Sequence, residues 1–341
     1  MTEGRYAWHR SPSSTVRKTA SDVIRFIVAL FLAMSFVSVV SPASALEKLL
    51  VARGSAKGFG FDPIDIGIEQ KFYELNGLDV EMVQLDGSAK VHQAMVAGAI
   101  DLAAGAGTDI AFLVKGAPEQ AVGAIALGPQ QFGFVISADP TIKTAADLKG
   151  RRIGISTVGS LTEWFVRKFL QKQGWKPDDV TMITVGADTL PQTAALETHQ
   201  IDAVVTGSAL GWQLEAQNRG RLLFPASDIV SDFLMNVIFA SNKLVAERPD
   251  AVRAFLKGWY ETVDFMRKNR AETIRMARAI DGYSEAVEAR QYDVVMPSLS
   301  TDGRFPAAGV AMVQHSFVDL GILPNEPDMK PYMTERFLPR R

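Results

Sequence analysis

The chain contains no cysteine among its 341 residues and only four histidines. The first absence removes disulfide frameworks, thiolate metal sites and a cysteine nucleophile. It also removes an N-terminal lipid anchor, which needs a cysteine just after an export signal. Beyond residue 45 the histidines are His92, His199 and His315, far apart in sequence and never at metal-site spacing. Each reads as a surface residue, and neither a metal nor a cofactor is expected. No Gly-Lys-Ser/Thr phosphate loop is present, and Gly54, Gly58 and Gly60 lack the dinucleotide spacing. No Gly-x-Ser-x-Gly elbow supports a hydrolase nucleophile. Neither charge sign dominates: 36 basic against 38 acidic residues give a net charge of −2, so a nucleic-acid partner is not expected.

What is present is ordinary for a soluble globular chain, with 47% hydrophobic and 22% charged residues. The length suits two domains of ~100–200 residues. Residues 1–45 read as an export signal. Arg17, Lys18 and Arg25 make a positive start, Phe26 to Val40 is almost wholly apolar, Ser41-Pro42 breaks it, and Ala43-Ser44-Ala45 fits small-x-small cleavage. The apolar run is shorter than the ~20 residues of a membrane span. An uncleaved anchor helix is the alternative. No twin arginine precedes the run, which favours the ordinary export route. Cleavage after Ala45 takes away five basic and two acidic residues, leaving 31 and 36 and a net charge of −5. No later stretch approaches 18 apolar residues, so a soluble periplasmic protein is expected.

Strand and helix patterns then occur twice in the same order. Leu49–Ala52, Ile64–Leu75, Val80–Leu85, Ser88–Ala97 and Ile100–Ala104 read as β-α-β-α-β. Arg152–Ile155, Leu161–Gln173, Val180–Val185, Pro191–Thr198 and Ile201–Val205 repeat it. Gly77 matches Gly174, and Ala99-Ile100-Asp101 matches Gln200-Ile201-Asp202. This alternation predicts an α/β fold of two lobes, each a mostly parallel sheet flanked by helices. One large doubly wound sheet is the alternative. The apolar runs Ala121–Ala138 and Phe233–Ser241 read as two crossing hinge segments. The expected division is lobe 1 over 46–134, lobe 2 over 135–236, and a helical return to lobe 1 over 237–341. Within the return, Trp259, Val263 and Met266 share a helix face, and 304–341, with five prolines, reads as a surface wrap. Asp101 and Asp202 occupy matching strand starts and read as turn-makers.

Ligands of open α/β sheets bind beyond the carboxyl ends of strands, where helix N-termini point N–H groups outward. Four loops qualify: 55–61, 105–109, 157–162 and 206–208. Ser160 and Glu163 have capping-box spacing, so Ser160 caps its own helix, contacts ligand, or does both. Of the nearby aromatics Phe59, Phe61, Phe132, Trp164 and Trp212, most read as packing, with one or two lining a cleft. No arginine falls inside the four loops.

The run Ala145-Ala146-Asp147-Leu148-Lys149-Gly150-Arg151-Arg152-Ile153-Gly154-Ile155-Ser156-Thr157-Val158-Gly159-Ser160-Leu161-Thr162, with Asn76-Gly77-Leu78-Asp79-Val80 and Ala97-Gly98-Ala99-Ile100-Asp101-Leu102, resembles the nitrate/sulfonate/taurine-type substrate-binding proteins of ABC importers. These are type II periplasmic binding proteins, with relatives that carry thiamine-pyrimidine precursors. The resemblance covers nearly all of the chain after residue 45. It implies a non-enzymatic, monomeric protein that traps a small anion or heterocycle between two lobes and delivers it to a membrane permease driven by an ATPase. Carried over by position, it implies ligand contacts from Lys57, Phe59, Gly60, Phe61, Gly107, Thr108, Gln130, Gln131, Gly159, Ser160, Thr162, Gly207, Ser208 and Asn236. Synthases that share the fold use a cysteine-rich motif, which this chain lacks. A periplasmic enzyme and a ligand-sensing partner of a membrane receptor are the other readings.

Overall fold

The computed structural model describes Met1 and residues 45–55, 58–85 and 87–340. The apolar run of the expected export signal, and Lys57, lie outside these residues. The architecture that follows belongs to Leu46–Arg341, which forms one compact unit.

In chain order the elements are β1 (Glu47–Arg53), α1 (Pro63–Glu69), α2 (Phe72–Leu75), β2 (Leu78–Gln84), α3 (Ser88–Val96), β3 (Leu102–Ala106), α4 (Ile110–Val114), β4 (Glu119–Leu127) and β5 (Phe132–Ser137). Next come β6 (Arg152–Ile155), α5 (Leu161–Gln173), β7 (Thr181–Thr184), α6 (Thr189–Glu197), β8 (Ala203–Gly207), α7 (Ser208–Ala216) and β9 (Gly220–Pro225). The chain ends with β10 (Leu234–Ser241), α8 (Asn242–Glu247), α9 (Pro249–Lys268), α10 (Arg270–Asp281), α11 (Glu285–Val295) and α12 (Ala307–Asp319).

Two five-stranded sheets result, ordered β2-β1-β3-β10-β4 and β7-β6-β8-β5-β9. The order is the same in both. In the first, β1 pairs parallel with β2 and β3, and β10 runs antiparallel between β3 and β4. In the second, β6 pairs parallel with β7 and β8, and β5 runs antiparallel between β8 and β9. Each sheet is therefore mixed, with one strand running against the other four. The reversed strand is the one that enters from the opposite sheet.

Burial follows position. Every residue of β10 is buried, as suits a central strand covered on both faces, whereas the edge strand β2 alternates buried and exposed at its start. Helix α9 buries Val252, Phe255, Leu256, Trp259, Val263 and Met266 along one face and leaves charged residues on the other.

Three expectations are corrected by these elements. The apolar runs Ala121–Ala138 and Phe233–Ser241 are mostly strands β4, β5 and β10. The crossings are the shorter links 128–131 and 226–233, tied together by the Gly128 N–H donating to the Phe233 carbonyl at 2.6 Å. The helix expected over Ile64–Leu75 breaks at Lys71, whose φ of 63° is left-handed. The break folds Tyr73 back so that its hydroxyl donates to the Pro63 carbonyl at 3.1 Å, with its ring where a side chain on Gly67 would stand. The proline-rich end is more than a wrap, because Pro306 leads into α12, which packs on β10.

Candidate functional site

The two crossings bring loops from both sheets together. Gln131, entering β5, donates from its amide Nε2 to the Oδ1 of Asn236 in β10. Asn236 is buried, and its Nδ2 donates to the Gly105 carbonyl at 3.4 Å. Gly60 lies against this amide pair: a Cβ there would stand 2.8 Å from Gln131 Oε1 and 3.5 Å from Asn236 Oδ1. The Ser208 N–H donates to the Gln131 carbonyl at 2.8 Å. Four of the expected positions, Gly60, Gln131, Ser208 and Asn236, thus converge on one cluster, and Gly207 adjoins it. Gly107 begins the turn after β3 at a point where a Cβ would strike the Leu234 carbonyl at 1.9 Å. Thr108 beside it is buried.

Two helix N-termini differ in what they leave unpaired. At α7, Ser208 is 1% exposed, and its Oγ has no hydrogen-bond partner among the described residues. A buried hydroxyl without a partner is costly unless something else bonds it. The first-turn N–H groups of a helix also lack partners within it and carry its positive end. At α5 the hydroxyls and one first-turn N–H are already taken. Ser160 Oγ accepts the Glu163 N–H at 3.4 Å, and the Glu163 carboxylate accepts the Gly159 N–H at 2.5 Å. Thr162 Oγ1 accepts the Ser156 N–H at 2.8 Å and lies 2.9 Å from Ser160 Oγ. The Glu163 carboxylate, paired with Arg167 at 2.6 Å, already puts a negative charge at this helix start. Ser160 is a cap here, and α7 is the helix end that remains open.

Behind the loop after β1 lies a set of charged groups that sequence reading did not single out. Arg53 is buried and pairs with Asp65 at 2.6 Å. Asp62 is fully buried, and neither carboxylate oxygen has a hydrogen-bond partner among the described residues. Burial pushes its carboxyl well above the usual range, and the charges of Asp281 and Glu288 push the same way. Asp281 fixes the loop by accepting the Gly58 N–H at 3.1 Å. A second group holds the turn after β3. His92 Nδ1 lies 2.7 Å from the Glu119 carboxylate, and its Nε2 lies 3.6 Å from Asp109 Oδ2. Asp109 Oδ2 also accepts the Ala106 N–H at 2.9 Å. His92 is 2% exposed, which overturns its reading as a surface residue. Burial disfavours the charged ring, but the two carboxylates outweigh it and raise the pKa to about 9.

The other expected residues fall elsewhere. Phe59 is buried, edge-on to Tyr292 at 6.1 Å, and belongs to the packing. Phe61 is half-buried on the same loop. Gln130 borders a separate cavity of about 480 Å³ with Arg267 and Ser300. Arg267 is pinned there by the Met296 and Leu299 carbonyls at 3.0 and 2.7 Å. Trp164 and Trp212 are buried, and Phe132 is half-buried.

A family model described as NMT1/THI5 like matches residues 60–273. The chain belongs to the NMT1/THI5-like family. The match begins at Gly60 and takes in Gln131, Ser208 and Asn236 as well. A Brucella abortus relative named as a binding protein is 29% identical over 252 residues, covering 72% of this chain and 76% of the relative. A Schizosaccharomyces pombe 4-amino-5-hydroxymethyl-2-methylpyrimidine phosphate synthase is 25% identical over 230 residues, covering 62% of this chain and 64% of the synthase. Among solved structures, the periplasmic aliphatic sulphonate binding protein SsuA of Escherichia coli superposes with a TM-score of 0.71 at 19% identity, covering 84% of this chain and 97% of that one. That identity speaks for the fold alone. This NMT1/THI5-like chain has the periplasmic-binding-protein fold, and no helix among its described residues is long and apolar enough to cross a membrane.

Proposed function

We propose that the chain captures a small organic anion or heterocycle in the cleft between the two sheets and hands it to an ABC importer. The observation that carries this reading is the buried Ser208 Oγ at the start of α7, which has no hydrogen-bond partner among the described residues, in a residue tied through its N–H to Gln131 of the Gly60–Gln131–Asn236 cluster. Hydroxyl, amide and helix-end N–H groups suit an oxyanion such as a sulfonate or carboxylate, or the polar edge of a heterocycle. Closure draws on contacts that a ligand makes to both sheets at once. On this reading the first sheet with its helices forms one lobe and the second sheet the other, the divisions falling at the crossings 128–131 and 226–233 rather than at 134/135 and 236/237. The protein is then a periplasmic monomer that catalyses nothing, released by cleavage after Ala45 and read in its closed form by a permease and its ATPase. The binding-protein relative supports this reading over an enzymatic one.

A thermal-shift screen with ethanesulfonate, taurine, MOPS, nitrate, benzoate and aminopyrimidines tests it. A ligand at 100 times its dissociation constant adds about 2.7 kcal/mol to stability. Calorimetry of a hit should show Ser208→Ala binding roughly ten- to a hundredfold more weakly, the loss of a hydrogen bond to a charged group. Unchanged affinity in both Ser208→Ala and Asn236→Ala would remove the site from this cluster. Mass spectrometry of exported protein should find Leu46 at the N-terminus, and intact chain held in the membrane would overturn the cleavage.

A further inference from the structure

Helix α7 carries Ser208 at one end and a second contact along its length. It packs on β9 and β5 of the second sheet. Helix α11 packs on α10 and stays with the first sheet's loop, where Tyr292 meets Phe59 edge-on at 6.1 Å. The two helices touch. Ala209 and Trp212 of α7 and Val287 of α11 form a small buried apolar cluster apart from the main core, with Tyr283 packed against it. The Arg290 guanidinium lies 4.8 Å from the centre of the Trp212 ring. Its Nη1 is 3.2 Å from the Glu215 carboxylate, with both side chains more than half exposed.

We infer that the Trp212–Val287 contact, with Arg290 and Glu215 over it, is a latch that holds the two sheets closed on the cleft. Three features fit a contact made to part. It is small. Its outer layer is an exposed ion pair and a ring–guanidinium stack, each worth only a few-fold in an equilibrium constant. The Trp212 indole N–H is buried with no partner among the described residues, so opening lets water bond it and offsets part of the apolar loss. The position fits as well. Val294, at the far end of α11, borders the same cavity as Gln130 of the first crossing. Val287 lies seven residues back along α11, about 10 Å from Val294 and further from the crossing. A rotation about the crossings therefore separates Val287 from Trp212. A second junction between the sheets' helices lies at a crossing and stays: Trp164 of α5 stacks on Phe233 of the second crossing at 4.8 Å and donates to Asp319 of α12 at 2.9 Å.

The latch rests on the ligand-capture reading for its purpose, so its test uses no ligand. The chain has no native thiol, and Glu215→Cys with Arg290→Cys supplies the only pair. A short bis-maleimide should join them and give the smallest radius of gyration by small-angle scattering. Adding Trp212→Ala, which takes away the apolar contact with Val287, should slow that cross-link by about fivefold or more. Arg290→Glu, a surface change that leaves the core intact, should enlarge the radius, and Arg290→Glu with Glu215→Arg should restore it. Equal radii for the cross-linked, wild-type and Arg290→Glu proteins would overturn the latch. Such a result leaves the ligand screen free to succeed or fail independently.

Discussion

Asp101 and Asp202 make the same pair of bonds at matching places in the two sheets. Asp101 donates its N–H to the Leu50 carbonyl at 3.0 Å and accepts the Leu50 N–H on Oδ2 at 3.0 Å. Asp202 donates to the Arg152 carbonyl at 2.8 Å and accepts the Arg152 N–H on Oδ2 at 2.8 Å. Each carboxylate thus extends the ladder by one rung where the next strand has not yet begun. Truncation at either position leaves a strand N–H unpaired and should cost roughly 1–3 kcal/mol. Urea unfolding of Asp101→Ala and Asp202→Ala measures this, and wild-type midpoints in both would refute the shared role.

His92 makes the protein alkali-sensitive. Its pKa is raised to about 9 in the folded chain, against about 6.5 for an unperturbed histidine. The stabilisation is complete below about pH 6.5 and is lost as the pH rises through 9, on the order of 3 kcal/mol at most. Unfolding midpoints measured from pH 6 to pH 10 should fall across that window. His92→Gln should flatten the fall, and an identical slope in the variant would assign it to another group.

Gly107 allows no side chain. A methyl group there would stand 1.9 Å from the Leu234 carbonyl, a main-chain atom inside a central strand. Gly107→Ala should therefore cost about 3 kcal/mol or more, as overpacking at a site that cannot yield does. Gly207→Ala is the control, because the nearest atom to its Cβ is 3.9 Å away. Equal stability of the two variants would contradict the close approach.

At α5 the expected effect is on stability alone. Ser160→Ala removes the side chain that accepts the Glu163 N–H and should cost about 1 kcal/mol. Ligand affinity, once a ligand is found, should stay within twofold of wild type. A tenfold loss in calorimetry would return the anion site to this turn.

The repeated β-α-β-α-β order was legible because apolar strands and helix-stopping glycines recur at nearly constant offsets, as Gly77 and Gly174 show. Single-residue geometry was less so. Lys71 breaks a helix that periodicity joins, because the break is set by Tyr73 closing on Gly67, a tertiary contact. The apolar strings around Val122 and Ile238 read as linkers because a strand buried on both faces has no alternation to reveal it. Ser208 and Asn236 were nameable from their loops, but the hydrogen bond from the Gln131 amide to that of Asn236 joins residues 105 apart. His92 gave no signal, because its partners Asp109 and Glu119 come from separate elements and no spacing rule links them.

The reversed strands also set an order of assembly. All five strands of the second sheet lie within 132–225, so that sheet can complete itself from one stretch of chain. The first cannot: β4 joins the other strands of its sheet through β10, and β10 arrives more than a hundred residues later. As the chain emerges, β3 and β4 must wait with apolar edges open while the whole second sheet forms before β10 arrives. The half that begins first is finished last, and the interval is the chain's time of greatest exposure to aggregation.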